Sequence, residues 1–216
     1  MGLFLSVIAV HHAPRKEFLA ALNDYATKNR IQFDTEVPIA EEDMLRVLVT
    51  DDQRVAATLP GGFAEHDDLA CFLSQRLATA SFAFHIHDGD LWMYTLYDNG
   101  DEVDHFNPIP AYWGELTPEQ KRDWSGDPTK VAAHWEGVDA SSVAPYLVEW
   151  DLESLGKSKA FHDDEFAIGH DWQLVDFMRR LGLKYPDTNT RGVEVFRFGP
   201  PRPAEIRATK PWWKLW

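Results

Sequence analysis

Cysteine is nearly missing from this 216-residue chain, with Cys71 standing alone. An internal disulfide is therefore impossible, and a cysteine-based zinc site has too few thiolates to form. Cys71 lies in an apolar helical stretch with Arg76 as its basic neighbour, so a buried and inert thiol is expected. Basic charge is scarce too. Lys and Arg number 21 against 35 Asp and Glu, a formal net charge of −14. Phosphate recognition needs a basic footprint, so this balance argues against nucleic acid as a ligand. Long apolar runs are also lacking, and no window approaches the ~18 residues that would span a bilayer. The start MGLFLSVIAV has no basic leader, and His11, His12 and Pro14 stand where a signal cleavage site would lie. It reads as a first strand of a cytoplasmic protein.

Nucleophile and phosphate-loop signatures are missing as well. Ser125, Ser141 and Ser142 have no Gly-x-Ser-x-Gly setting. Pro60-Gly61-Gly62 lacks the Lys and Ser/Thr of a phosphate loop, and no Gly-x-Gly-x-x-Gly follows a strand.

What is abundant is aromatic area, with nine Trp and thirteen Phe, enough for a large core. Apolar spacing predicts strands over 3–10, 31–39, 44–50 and 193–198. Helices are expected over 14–29, 68–78, 118–123, 127–135, 140–148 and 171–181. Asp67 or Asp68 is expected to cap the second helix, and Thr117-Pro118-Glu119-Gln120 reads as a capping box. Strands 81–87, 91–97 and 102–106 form a meander, its second turn set by Asn99-Gly100, a pair suited to positive φ at both positions. The expected fold class is α+β: a mixed or antiparallel sheet with a central β-meander, packed helices and a helical C-terminal annex. Residues 1–199 are read as one domain, with the annex over 111–185, and 200–216 as a basic, Trp-rich tail.

Three groups carry potential chemistry. His85 and His87 sit two apart in a strand and so share a face. With Asp88 and Asp90 they form a candidate metal site, although the spacing departs from both the cupin and the metallo-β-lactamase patterns. Asp163, Asp164 and Glu165, after His162, form an acidic cluster in a loop, read as a partner-binding surface. Trp212, Trp213 and Trp216 are its counterpart in the tail. That tail carries four Lys/Arg against one acid, a +3 segment on a chain of −14, which leaves the body at about −17.

The run from His85 to Gly100 (HIHDGDLWMYTLYDNG), with Asp171–Phe177 (DWQLVDF) and the closing KPWWKLW, resembles a family of uncharacterised acidic bacterial proteins. The likeness covers about a quarter of the chain and supplies no catalytic residues. Proteins of this organisation are similar to immunity proteins, which neutralise a toxin by covering its site. The resemblance and the charge together imply a non-enzymatic protein that binds a basic protein partner. Two alternatives stand beside it: a metal-dependent hydrolase built on His85 and His87, and a scaffold acting through the tryptophans of its tail.

Overall fold

Apolar residues at consecutive positions need cover on both faces of a strand, and Leu5–Val10 (β1) receives it near the middle of the sheet. The structure is a computed structural model that describes residues 2–34, 43–151, 153 and 155–200. After β1 the chain forms the helix Arg15–Asn29 (α1), which Arg30 closes at φ 57° while its N–H reaches the carbonyls of Ala26 and Thr27. Gln32–Asp34 (β2) begins the second expected strand, whose positions 35–39 lie outside the described residues. Met44–Val49 (β3) follows, and Val55–Thr58 (β4) is a strand that the sequence did not announce. It is short and alanine-rich, so neither β propensity nor alternation marks it.

The second helix, His66–Leu77 (α2), starts two residues earlier than its capping pattern suggests. Glu65 occupies the N-cap without a side-chain bond, and Asp67 and Asp68 instead stand in the first turn, where carboxylates favour the helix dipole. Ser81–His87 (β5), Leu91–Asp98 (β6) and Asp101–Phe106 (β7) form the meander. Asn99 and Gly100 take φ of 51° and 88°, as the two-residue turn requires.

Past Phe106 the helices are short. Pro118–Asp123 (α3) carries the complete capping box between Thr117 and Gln120, and Asp127 caps Pro128–His134 (α4). Ala140–Val143 (α5) stops before Pro145 and continues only as a 3-10 turn to Tyr146, so the single longer helix expected there is broken. Gln173–Arg180 (α6) and Glu194–Gly199 (β8) complete the set.

The eight strands of the described residues join one antiparallel sheet in the order β2-β8-β3-β4-β1-β5-β6-β7. The fold is α+β. The meander, central in the sequence, supplies one end of the sheet. Strand alternation then sorts side chains into two cores. Ile8, Val10, Leu45, Val47 and Phe198 face α1 and α2. Val7, Ala9, Phe82, Phe84, Trp92 and Tyr94 face the opposite way, against Val131, Trp135, Tyr146 and Phe177 of the C-terminal helices. Segment 111–185 therefore packs into the same core as the strands. Two indoles pin the layers: Trp92 Nε1 donates to Gln173 Oε1 (3.3 Å) and Trp135 Nε1 to the Leu181 carbonyl (2.9 Å). Among the described residues no helix is long and apolar enough to cross a membrane.

Candidate functional site

The period of two in β5 sends His85 and His87 to the same face, and the register with β1 sets Ser6 directly opposite His85. Ser6 Oγ and His85 Nδ1 are 2.9 Å apart. From the start of α2, His66 stacks on His85 with ring centres 4.7 Å apart and planes 9° from parallel. His87 stands 5.8 Å from His85 and meets three aromatic rings edge-on: Phe4 at 5.0 Å, Trp113 at 5.1 Å and Tyr112 at 5.7 Å. A cavity of about 290 Å³ opens between Phe4, Ser6, Phe63 and the three histidines. His66 was missed in the sequence because its contact with β5 joins residues nineteen positions apart that no local pattern links.

Asp88 and Asp90 do not complete a metal site. Asp88 sits at φ 55° in the turn, packed so closely on Gly2 that a Cβ there would overlap its carboxylate. Asp90 accepts a 2.6 Å hydrogen bond from Tyr112 Oη, which holds the aromatic turn Pro110–Trp113 against the meander. Among the described residues no three His, Cys, Asp or Glu side chains are placed to hold a metal ion. The His85, His87, Asp88, Asp90 set is thus not assembled: strand geometry gathers the imidazoles, while the turn directs the carboxylates to other work.

Burial, helped by repulsion from His66 and His87 and opposed by Asp67, lowers the His85 pKa from 6.5 to about 4. The imidazole is neutral at pH 7 and a weak base. Between pH 6.5 and 4 the unfolded chain binds the proton that the folded chain refuses. Stability should therefore fall as pH drops through that window, by at most about 2 kcal/mol once solvent screening is allowed for. His85→Asn is expected to flatten this slope in denaturant titrations repeated across the window. An unchanged slope would show that other groups set it.

Within the acidic cluster, Asp164 is buried while Asp163 and Glu165 are exposed. Asp164 is buried and accepts from Tyr146 Oη (2.6 Å), the Phe161 N–H (2.8 Å), Arg180 (2.8 Å) and Arg179 (3.0 Å). Asp163 is bonded by the same two arginines at 2.7 and 2.9 Å, which hold its carboxyl well below the usual range. Glu165 contributes its N–H to the buried Asp176 carboxylate (2.9 Å). Asp163 and Asp164 thus clasp the segment around 161–166 to the end of α6, with Asp164 buried and Asp163 and Glu165 exposed. The signal in the sequence was the Arg179-Arg180 pair closing an amphipathic helix. Trp212, Trp213 and Trp216 lie outside the described residues.

A different surface carries the two most exposed aromatics among the described residues. Trp113 is 58% and Phe4 48% exposed, bridged by the His87 ring, with Leu3 beside Phe4 at 37%. Asp88 and Asp90 stand in the turn beneath them. The chain matches no known protein family, and no curated protein or solved structure matches it. The arrangement has to be interpreted from its own chemistry.

Proposed function

We propose that the protein is a non-enzymatic binding protein that accepts a basic protein through the patch formed by Phe4, His87, Tyr112 and Trp113. The observation that carries this reading is the exposure of two large aromatic rings, 58% and 48%, held in place by an interlocked set of ring contacts. Exposed aromatic clusters of this kind commonly mark interaction surfaces, and Trp and Tyr dominate binding energy where they are found. The rings are preorganised, since Asp90 fixes Tyr112 and Tyr112 packs edge-on to Trp113 at 5.0 Å. The net charge of −14 selects and steers a cationic partner towards the patch. An immunity-type role fits this chemistry, with the patch covering a basic toxin surface in a bacterial cytoplasm. The hydrolase alternative needs three or more ligating side chains gathered about His85 and His87, and among the described residues no such group is placed to hold a metal ion.

In a pull-down from host extract, the protein is expected to retain a basic protein at low salt and to release it progressively as salt rises. The double variant Phe4→Ser/Trp113→Ser should weaken retention roughly tenfold or more while keeping its melting temperature within a few degrees. Retention that is indifferent to both salt and the double substitution sinks the reading.

A further inference from the structure

A pocket of about 430 Å³ opens between the C-terminal end of α1, the end of β8 and the start of α2. Tyr25, Ile31, Phe63 and Phe198 wall it, and the rings of Phe63 and Phe198 pack together at 5.5 Å. Glu65 and Asp68 line it as exposed residues, and among the described residues neither forms an ion pair. Their charge is felt inside: burial first, then Asp68 and Glu65, push the Tyr25 hydroxyl up to about 12. Pro200, the last described residue, belongs to the same lining. Arg197, itself paired with the buried Asp43 at 3.3 Å, donates a 3.0 Å hydrogen bond to the Pro200 carbonyl. The chain therefore leaves β8 at a fixed point beside the pocket.

Beyond Pro200 the sequence carries Arg202, Arg207, Lys210 and Lys214 against Glu205 alone, with Trp212 and Trp213 between the two lysines. Indoles flanked by cations complement an apolar pocket edged by carboxylates, since the rings cover the aromatic walls while each ammonium meets an acid. Reach is ample. Residues 201–211 span up to about 36 Å when extended, and the entropy of closing a loop grows only slowly with its length. The tether also holds the indoles near the pocket at about millimolar effective concentration, against which a separate partner has to compete. Arg30, which lines the pocket too, does not oppose this, because a guanidinium lies favourably over an indole face. We propose that Trp212 and Trp213 dock into this pocket of their own chain, with Lys210 and Lys214 paired to Glu65 and Asp68. The tail then covers apolar area that α1, α2 and β8 leave open. No residue of the protein-binding patch lines this pocket, so the inference does not rest on that reading.

The test is fluorine NMR of the full chain labelled with 5-fluorotryptophan, the tail signals being identified by their loss in Trp212→Phe and Trp213→Phe. An exposed fluorine shifts when H2O is exchanged for D2O, and a buried one does not. The Trp212 and Trp213 signals are expected to lack most of this shift at every protein concentration. Lys210→Glu/Lys214→Glu, which leaves the body of the protein unaltered, should restore the full shift. Glu65→Lys/Asp68→Lys, at exposed positions, should do the same, with folding checked by circular dichroism. Combining the two pairs should remove the shift again, because the attraction returns with its signs exchanged. A full shift of both tail signals in the unsubstituted protein overturns the proposal. So does protection that survives either charge reversal in a folded variant. Protection that grows with protein concentration also overturns it, since the tail would then sit on a second copy.

Discussion

Asp164→Ala is expected to destabilise the protein by about 3 kcal/mol in urea or guanidinium titrations, towards the lower end of the ~3–5 kcal/mol typical of breaking a buried ion pair. The carboxylate has a fully buried side chain and answers four donors, so its removal strands the Phe161 N–H and the Tyr146 hydroxyl as well as two guanidiniums. The value lies at the lower end because the Arg179 side chain is 45% and that of Arg180 19% exposed, so water replaces part of what the arginines lose. Glu165→Ala is the control. It lies next in the chain, but the bond observed there is made by its backbone, so its change should stay within about 0.5 kcal/mol. If the two variants behaved alike, the cluster would be an exposed acidic surface and the clasp would be refuted.

Phe177→Ala should have an effect at least as large, about 3–5 kcal/mol, the range for emptying a buried phenylalanine site. Phe177 is fully buried on α6 and touches rings from both layers. It meets Trp92 at 5.1 Å, stacks on Tyr94 at 5.7 Å with planes 11° apart, and meets Tyr146 edge-on at 5.7 Å. Phe82 and Phe84 approach it edge-on at 6.3 and 6.1 Å. Such a site cannot collapse easily, because its neighbours are rigid rings fixed to different strands and helices. The consequence reaches beyond the magnitude. Since the helices of 111–185 and the meander share this core, far-ultraviolet and tryptophan signals should be lost together in both the parent protein and the variant. An early, separate loss of helical signal would show that the C-terminal helices are an independent unit.

The surroundings of the two groups of candidate site residues were only partly legible in the sequence, for a common reason. His85 and His87 were legible as neighbours because a strand places alternate residues on one face whatever the rest of the chain does. Their companions Ser6 and His66 were not, because each reaches His85 through contacts formed only when β1 and α2 pack against β5. Asp163 and Asp164 looked like a solvent-facing acidic run in the sequence. Their arginines lie 15 to 17 positions away, close enough for the chain to close a loop but beyond any helical or strand period.

By itself the sequence determined the features that depend on a few adjacent residues. The Asn99-Gly100 turn and its meander, the Thr117 capping box, the end of α1 and the position of α6 all follow from backbone preferences and side-chain spacing. It also determined the charge and the lack of a disulfide. Only the tertiary structure decided that β1 lies between β4 and β5, that the short β4 exists, and that Asp164 is buried. The aromatic patch was likewise its choice, since Phe4 and Trp113 are exposed while Trp92 and Trp135 are buried. Residue type states how much apolar area a side chain offers, but which area is covered depends on what the rest of the chain brings to it.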